Sequence, residues 1–518
     1  MMTSGPVRRS MKCDVKQYFE LLFSVSRLQV STSCPKTFHY THIKDLKEDS
    51  MSVSQIVSIN PATEEVNATF EPTSARNVDR ALGFASAAAQ TWRALPVSER
   101  AKSLFGMADA LRANRERLAR HITQEMGKPL LESLAEVDKC AWCCEFYAEH
   151  GPAMLADQPV STSAKRSYVS FEPLGLVLAV MPWNFPLWQV FRFAPPTLLA
   201  GNGIVLKHAP NVPQCALDIA EIIDQVCPPG LFTTLLVGAE QVADLIADDR
   251  IHAITLTGST QVGQLVAATA AGHLKRQVLE LGGSDPFIVL ADADVAAAAA
   301  AAVSARNLNA GQSCLAAKRF IVEDAIRGEF TEAVAAGVAK LTVGDPMLES
   351  TRVGPLAKAS IRQSLISQVE RSVSAGARVV TGGTPLEGRG YFYKPAVLDD
   401  VTPGMAVSAE ETFGPVAAII AVPDPSSAVE VANATEFGLG ASLWTSDLER
   451  AATLIPQLRA GAVFVNDIVV SDPRMPFGGI KHSGYGRELG TFGPREFTNV
   501  KTVWIGPSRD AQTPHLSE

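Results

Sequence analysis

A chain of 518 residues, 47% hydrophobic and 19% charged, buries a large core and has room for roughly two to four domains. Its formal charge of -8 is uneven: residues 1–50 carry eight Lys/Arg against five Asp/Glu, so residues 51–518 hold 38 basic and 49 acidic side chains, which excludes a polyanion-binding body and a nucleic-acid partner. No uncharged apolar run reaches the roughly 18 to 20 residues of a membrane helix, and eight cysteines without regular spacing exclude the disulfide framework of a small secreted domain.

Taken in chain order, residues 1–44 hold Arg8, Arg9, Lys12, Lys16, Arg27, Lys36 and Lys44 against Asp14 and Glu20. Residues 1–50 therefore read as an N-terminal extension: an organelle transit segment, a disordered tail, or a stretch ahead of a start at Met51. The reducing compartment suggested by the cysteines is the cytoplasm, or the mitochondrion if the extension is a transit segment. From Ile56 onward apolar runs alternate with helical patterns, which predicts an α/β fold with parallel sheets. Spacing of Ala, Leu and Met predicts helices over 75–94 and 98–126, and another over Leu131–Glu149. That last helix carries Cys140, Cys143 and Cys144, but no second pair completes a zinc site, so packing is expected and a metal is not.

Leu176–Met181, ending at Pro182, has the continuous apolar character of a buried parallel strand, and Gly203–Lys207, Thr234–Val237 and Ala253–Leu256 repeat it. Helices predicted at 213–226 and 239–248 lie between them, so these segments form a doubly wound, Rossmann-type unit. A second α/β series comes after Gly282 and Gly283, with strands at Pro286–Leu290 and Arg319–Val322 and helices at 295–310 and 326–340. Residues 495–506 read as one more strand without an obvious sheet of its own.

The dinucleotide fingerprint Gly-x-Gly-x-x-Gly is absent, because Gly201 and Gly203, like Gly484 and Gly486, lack the third glycine. A strand leads instead into Thr257-Gly258-Ser259-Thr260-Gln261-Val262-Gly263, a small-residue turn whose helix-start amides suit a phosphate. Cys314 ends the small-residue loop Asn309-Ala310-Gly311-Gln312-Ser313, while Glu280 and Asn184 occupy strand-end loops, where α/β folds gather ligands. These three residue types suit one reaction. A thiolate attacks an aldehyde carbonyl; an Asn amide and the cysteine N–H stabilise the oxyanion, each donor being worth about 3 to 4 kcal/mol; a carboxylate then activates the water that hydrolyses the thioester. A free thiol is only a few per cent thiolate at neutral pH, so the site either ionises Cys314 or works from that fraction. No Gly-x-Ser-x-Gly elbow supports a serine triad.

In order along residues 56–506, Pro182-Trp183-Asn184-Phe185-Pro186, Lys207, Thr257-Gly258-Ser259, Glu280-Leu281-Gly282-Gly283, Gly311-Gln312-Ser313-Cys314, Glu410-Glu411-Thr412-Phe413-Gly414-Pro415, Pro476-Phe477-Gly478-Gly479 and Ser483-Gly484-Tyr485-Gly486-Arg487-Glu488 resemble the aldehyde dehydrogenase superfamily. The resemblance implies Cys314 as nucleophile, Glu280 as general base and Asn184 as oxyanion donor. For NAD or NADP it implies Lys207 and Glu411 on the ribose hydroxyls, Gly258 and Ser259 at the pyrophosphate and Phe413 at the nicotinamide, with Trp183, Pro210, Gly238, Gly263 and Leu281 completing the cofactor site. Where NAD-preferring relatives carry a glutamate, Pro210 suggests that NADP is also accepted. The implied organisation is an aldehyde dehydrogenase-like fold with an NAD(P)-binding domain of 51–154 and 174–280, a catalytic domain of 281–482, and a β-strand oligomerisation arm of 155–173 and 495–508. A homodimer or homotetramer is expected.

Arg192, eight positions after Asn184, matches an arginine with which succinate-semialdehyde dehydrogenases bind the distal carboxylate, and the segment Asn466–Gly490 resembles their compact bacterial members. A structural salt bridge is the other reading of Arg192. Leu308 stands where some carboxylate-binding relatives keep a second arginine, with Arg474 as a candidate replacement. A broad-specificity aliphatic or aromatic aldehyde dehydrogenase is the alternative function. Acyl transfer to coenzyme A is disfavoured by Glu280, and a catalytically silent structural protein by the intact Cys314, Glu280 and Asn184.

Overall fold

The computed structural model describes residues 55–506, so the extension at residues 1–50 lies outside them, as do residues 507 and 508 of the expected arm. Two large sheets organise the chain. The six-stranded sheet has the order Gly484–Tyr485, Arg276–Glu280, Ile251–Thr257, Leu176–Met181, Gly203–His208, Phe232–Thr234, parallel except for its first member. The seven-stranded sheet runs Arg378–Thr381, Ala396–Asp399, Val416–Val422, Ala317–Glu323, Asp285–Val289, Gly440–Trp444, Ala462–Val465, again parallel apart from its first strand. Helices cover both faces of such sheets, and for that reason the central strands are buried end to end: every residue of Gly203–His208 and Asp285–Val289 is buried, Lys207, His208 and Asp285 included.

Chain order explains where a ligand goes. In the six-stranded sheet, Leu176–Met181 is flanked on one side by Gly203–His208 and on the other by Ile251–Thr257, which comes later in sequence. The winding reverses between the first and third of these strands, and the crevice beyond their carboxyl ends is the binding place of doubly wound sheets. Pro182-Trp183-Asn184 leaves one strand there and Gly258-Ser259 the other.

Several expected elements shift. The single helix over 98–126 is two, Val97–Ala113 and Arg115–Met126, because Asn114 turns its side-chain amide onto the Ala110 carbonyl and leaves helical dihedrals. The strand expected at Thr234–Val237 is Phe232–Thr234, and the helix expected at 239–248 is a 3₁₀ turn, Ala239–Gln241, continued by Val242–Ala247. The alanine-rich helix stops at Asn307 rather than 310, since Asn309 and Ala310 take left-handed dihedrals. Thr498–Ile505 has a sheet after all, pairing antiparallel over its whole length with Arg166–Pro173, which also pairs with Gln158–Pro159. Cys140, Cys143 and Cys144 are fully buried in the core of the helix Leu130–Met154 and its neighbours. Among the described residues no helix is long and apolar enough to cross a membrane.

Candidate active site

Cys314 is held by an unusual backbone. Asn309, Ala310 and Gly311 have φ of 54°, 52° and 73°, three consecutive left-handed residues of which two carry a Cβ. Such conformations cost of order 1 to 3 kcal/mol each for non-glycine residues and persist only where the surroundings enforce them. Here they are enforced. Asn309 Nδ2 donates to the carbonyls of Asn184 (2.6 Å) and Gln312 (3.1 Å), Asn309 N donates to Glu132 Oε2 (2.7 Å), and Gln312 Oε1 accepts from Ala357 N (2.9 Å). A Cβ on Gly311 would overlap the Gly414 backbone, so the loop also fits against Phe413-Gly414-Pro415. Beneath the loop the buried Lys318 donates to the carbonyls of Ser313 (3.2 Å), Cys314 (2.9 Å) and Ala316 (3.3 Å).

Burial pushes the Cys314 thiol up to about 12, with Arg192 and Lys318 pulling it partly back. Burial thus favours the thiol over the thiolate, a balance that the spacing of residues leaves open. Asn184 is buried, and its Nδ2 donates to the Gln312 carbonyl at 3.1 Å while its Oδ1 accepts from Gln189 Nε2 at 3.3 Å. One N–H of that amide is thus committed and the other has no acceptor among the described residues.

Two cavities meet at Cys314. The first, about 280 Å³, is lined by Trp183, Asn184, Thr257, Gly258, Ser259, Leu281, Glu411 and Phe413. Trp183 and Phe413 stand edge to face there, ring centres 5.7 Å apart, and Glu411 Oε1 accepts from Gly283 N at 3.0 Å. Ser259 caps the helix Thr260–Gly272, its Oγ accepting from Val262 N, so further first-turn amides remain for a phosphate. The second cavity, about 220 Å³, is lined on the other side of the sulfur by Phe185, Trp188, Arg192, Leu308, Leu315, Ile468, Val469 and Val470, with Glu132, Glu136, Lys139 and Ser471.

Not every expected site residue lines these cavities. Lys207, Pro210, Gly238 and Gly263 lie off the first: Lys207 is buried on its strand with no hydrogen-bond acceptor among the described residues, Gly238 lies under the Glu240 carboxylate, and Gly263 packs on the Leu281 side chain. Glu280 lines neither cavity. It is buried against Gly478, both carboxylate oxygens lack a hydrogen-bond partner among the described residues, and burial raises its carboxyl to about 8, with Arg192 opposing. Arg192 does line the second cavity, but its Nε is paired with the buried Glu488 and its Nη2 donates to Thr257 Oγ1 at 3.3 Å. Arg474 does not reach the cavity; it is largely exposed and paired with Asp472. Motif reading missed Asn309, Gln189, Lys318 and Lys139. Lys139 carries a sequence signal, since Glu132, Ala135, Glu136 and Lys139 recur at helical spacing on one face.

Residues 48–503 match the model of the "Aldehyde dehydrogenase family". A Synechocystis sp. protein named "Probable succinate-semialdehyde dehydrogenase [NADP(+)]" is 50% identical over 451 residues, 87% of this chain and 99% of its own length. An Escherichia coli succinate semialdehyde dehydrogenase, described as NAD(P)+-dependent, is 47% identical over 86% of this chain and 97% of its own. The crystal structure of succinic semialdehyde dehydrogenase from Streptococcus pyogenes in complex with NADP+ superposes with a TM-score of 0.85 at 35% identity, covering 87% of this chain and all of that one.

Proposed function

We propose, because this chain belongs to the aldehyde dehydrogenase family, that it oxidises succinic semialdehyde to succinate with NAD or NADP through a thioester on Cys314. The observation that carries the reading is the position of Cys314 in the lining of two cavities, one with Trp183, Phe413, Glu411 and Ser259 in its wall, the other with Lys139 and Arg192. Residues at and beyond the first suit a dinucleotide: Glu411 is fixed by the Gly283 amide, Ser259 opens a helix, and Lys207, outside the cavity lining, has an ammonium without an acceptor among the described residues. Lys207 and Glu411 would hold ribose hydroxyls, Gly258 and Ser259 the pyrophosphate, and Phe413 and Trp183 the ring. The bound cofactor supplies a hydride acceptor.

On the substrate side, Cys314 gives up its thiol proton to solvent and attacks the aldehyde carbon as a thiolate, and the developing oxyanion takes the uncommitted N–H of Asn184 and the Cys314 N–H. Glu280, once deprotonated and turned toward the sulfur, removes a proton from the water that hydrolyses the thioester. Arg192 keeps Nη1 outside its contacts with Glu488 and Thr257, and this nitrogen is available to an acidic substrate. Assembly as a homodimer or homotetramer belongs to the same reading, supported by the exposed Val500, Trp504 and Ile505 on the strand Thr498–Ile505.

Reduction of NAD and NADP with succinic semialdehyde, hexanal and benzaldehyde tests the proposal. The expected result is a kcat/KM for succinic semialdehyde at least about tenfold above both neutral aldehydes, abolished in Cys314→Ala. Equal or better turnover of hexanal or benzaldehyde would replace this substrate with the broad-specificity reading.

A further inference from the structure

We infer that Lys139 is a second cation, beside Arg192, that binds the distal carboxylate of the substrate together with the Ser471 hydroxyl; this rests on the reading of the substrate as an aldehyde acid. Four charged side chains line the cavity beside Cys314: Glu132, Glu136, Lys139 and Arg192. The three other than Lys139 are engaged by the protein, Arg192 in all but its Nη1. Glu136 is paired with Lys128 and accepts from the amides of Leu187 and Trp188, both at 2.9 Å. Glu132 accepts from Asn309 N, and burial raises its carboxyl to about 7. Arg192 is neutralised by the equally buried Glu488.

Lys139 has no carboxylate within ion-pair distance among the described residues. Its Nζ donates to Ser471 Oγ at 3.0 Å and lies 4.3 Å from the centre of the Trp188 ring. Of three ammonium N–H groups, one has an oxygen acceptor. Ser471, itself buried, is in the complementary position. Its Oγ accepts from Lys139 and from Trp188 Nε1 at 2.9 Å, which uses both lone pairs and leaves the O–H without an acceptor among the described residues. The neighbouring carboxylate, Asp472, is turned onto Arg474 instead.

Unspent donors on a cation and a hydroxyl, adjacent in a cavity whose other charged side chains are engaged by the protein, are complementary to an anion. Burial lowers the Lys139 ammonium to about 8, so it remains mostly charged at neutral pH, and its missing hydration is regained only when an acceptor arrives. A neutral aldehyde filling the same space would leave these groups unpaired, and unpaired buried polar groups are the strongest source of discrimination between substrates. The volume, about 220 Å³, is below the roughly 300 to 1,000 Å³ of pockets for drug-sized ligands and suits a short chain.

The test compares succinic semialdehyde with butanal, which has the same carbon chain without the carboxylate, in wild type, Lys139→Met, Lys139→Arg and Ser471→Ala. Lys139→Met is expected to raise KM for succinic semialdehyde at least about tenfold more than KM for butanal, with kcat for the two substrates moving together. Lys139→Arg should recover most of that difference, and Ser471→Ala should show it in smaller degree. Equal KM shifts for both aldehydes, or no rescue by Lys139→Arg, would make Lys139 a packing residue and overturn the inference while leaving the substrate reading intact. If Lys139→Met does not fold, Ser471→Ala and Lys139→Arg decide: an unchanged preference in the first with a lost preference in the second overturns it. A wild type that does not prefer succinic semialdehyde over butanal removes the substrate reading itself, and this is visible without any variant.

Discussion

Glu280 has the most demanding surroundings of any side chain at the site. Its two carboxylate oxygens are buried without a hydrogen-bond donor among the described residues, between the Arg192–Glu488 pair and Arg487, and loss of hydration raises its carboxyl to about 8. A proton-abstracting carboxylate must be ionised, so an acid raised in this way loses its function as pH falls through about 8. Where deacylation limits turnover, the steady-state rate should therefore rise with pH up to about 8 and level off above it. Glu280→Gln should remove that dependence and slow hydrolysis by about 10² to 10⁴. An identical pH profile in the variant would assign the proton transfer to another group. Glu280 stands out in the sequence as a lone carboxylate at a strand end beside Gly282-Gly283, which makes it a candidate base. Its environment does not stand out, because Arg192 and Glu488 are 296 positions apart in sequence yet in contact.

At the scale of elements, the loop Asn307–Ala317 makes Cys314 accessible and is the least predictable piece of the fold. The alanine-rich helix before it was legible from composition, but its end was placed three residues late. Nothing in Leu308-Asn309-Ala310-Gly311 announces that an alanine will take φ 52°; that conformation depends on Asn309, Gln312, Glu132 and Lys318 meeting across the fold. The loop's dependence on Gly311 is testable. With φ 73°, an alanine there costs of order 1 to 3 kcal/mol from dihedral strain, and its Cβ would also overlap the Gly414 backbone. Gly311→Ala should lower Tm and slow alkylation of Cys314 by iodoacetamide or its turnover. Gly328→Ala, inside the helix Asp324–Ala339 with open space at its Cβ, should be neutral or stabilising by up to about 1 kcal/mol. Equal behaviour of the two variants would mean that the left-handed loop is not what holds the thiol in place.

For the whole molecule, the parallel strands were the most legible feature. Runs such as Leu176–Met181 are buried on both faces, so their composition marks them without help from neighbours. Short or edge strands were harder. Phe232–Thr234 starts two residues and ends three residues before the expected strand, and the partner of Thr498–Ile505, more than 300 residues earlier at Arg166–Pro173, was suggested only by the family resemblance, which groups residues 155–173 with it, and not by the strand's own sequence. The residues expected to carry the chemistry come from both large sheets: Asn184 and Gly258 leave strands of one, and Cys314 enters a strand of the other, with the two cavities between them. This arrangement makes one covalent species central to the account. Glu280→Gln enzyme mixed with succinic semialdehyde and NADP, quenched in acid during turnover and digested, should yield the peptide containing Cys314 with the added mass of a succinyl group. An unmodified Cys314 peptide while reduced cofactor is still being formed, or the succinyl group on a different residue, would contradict it.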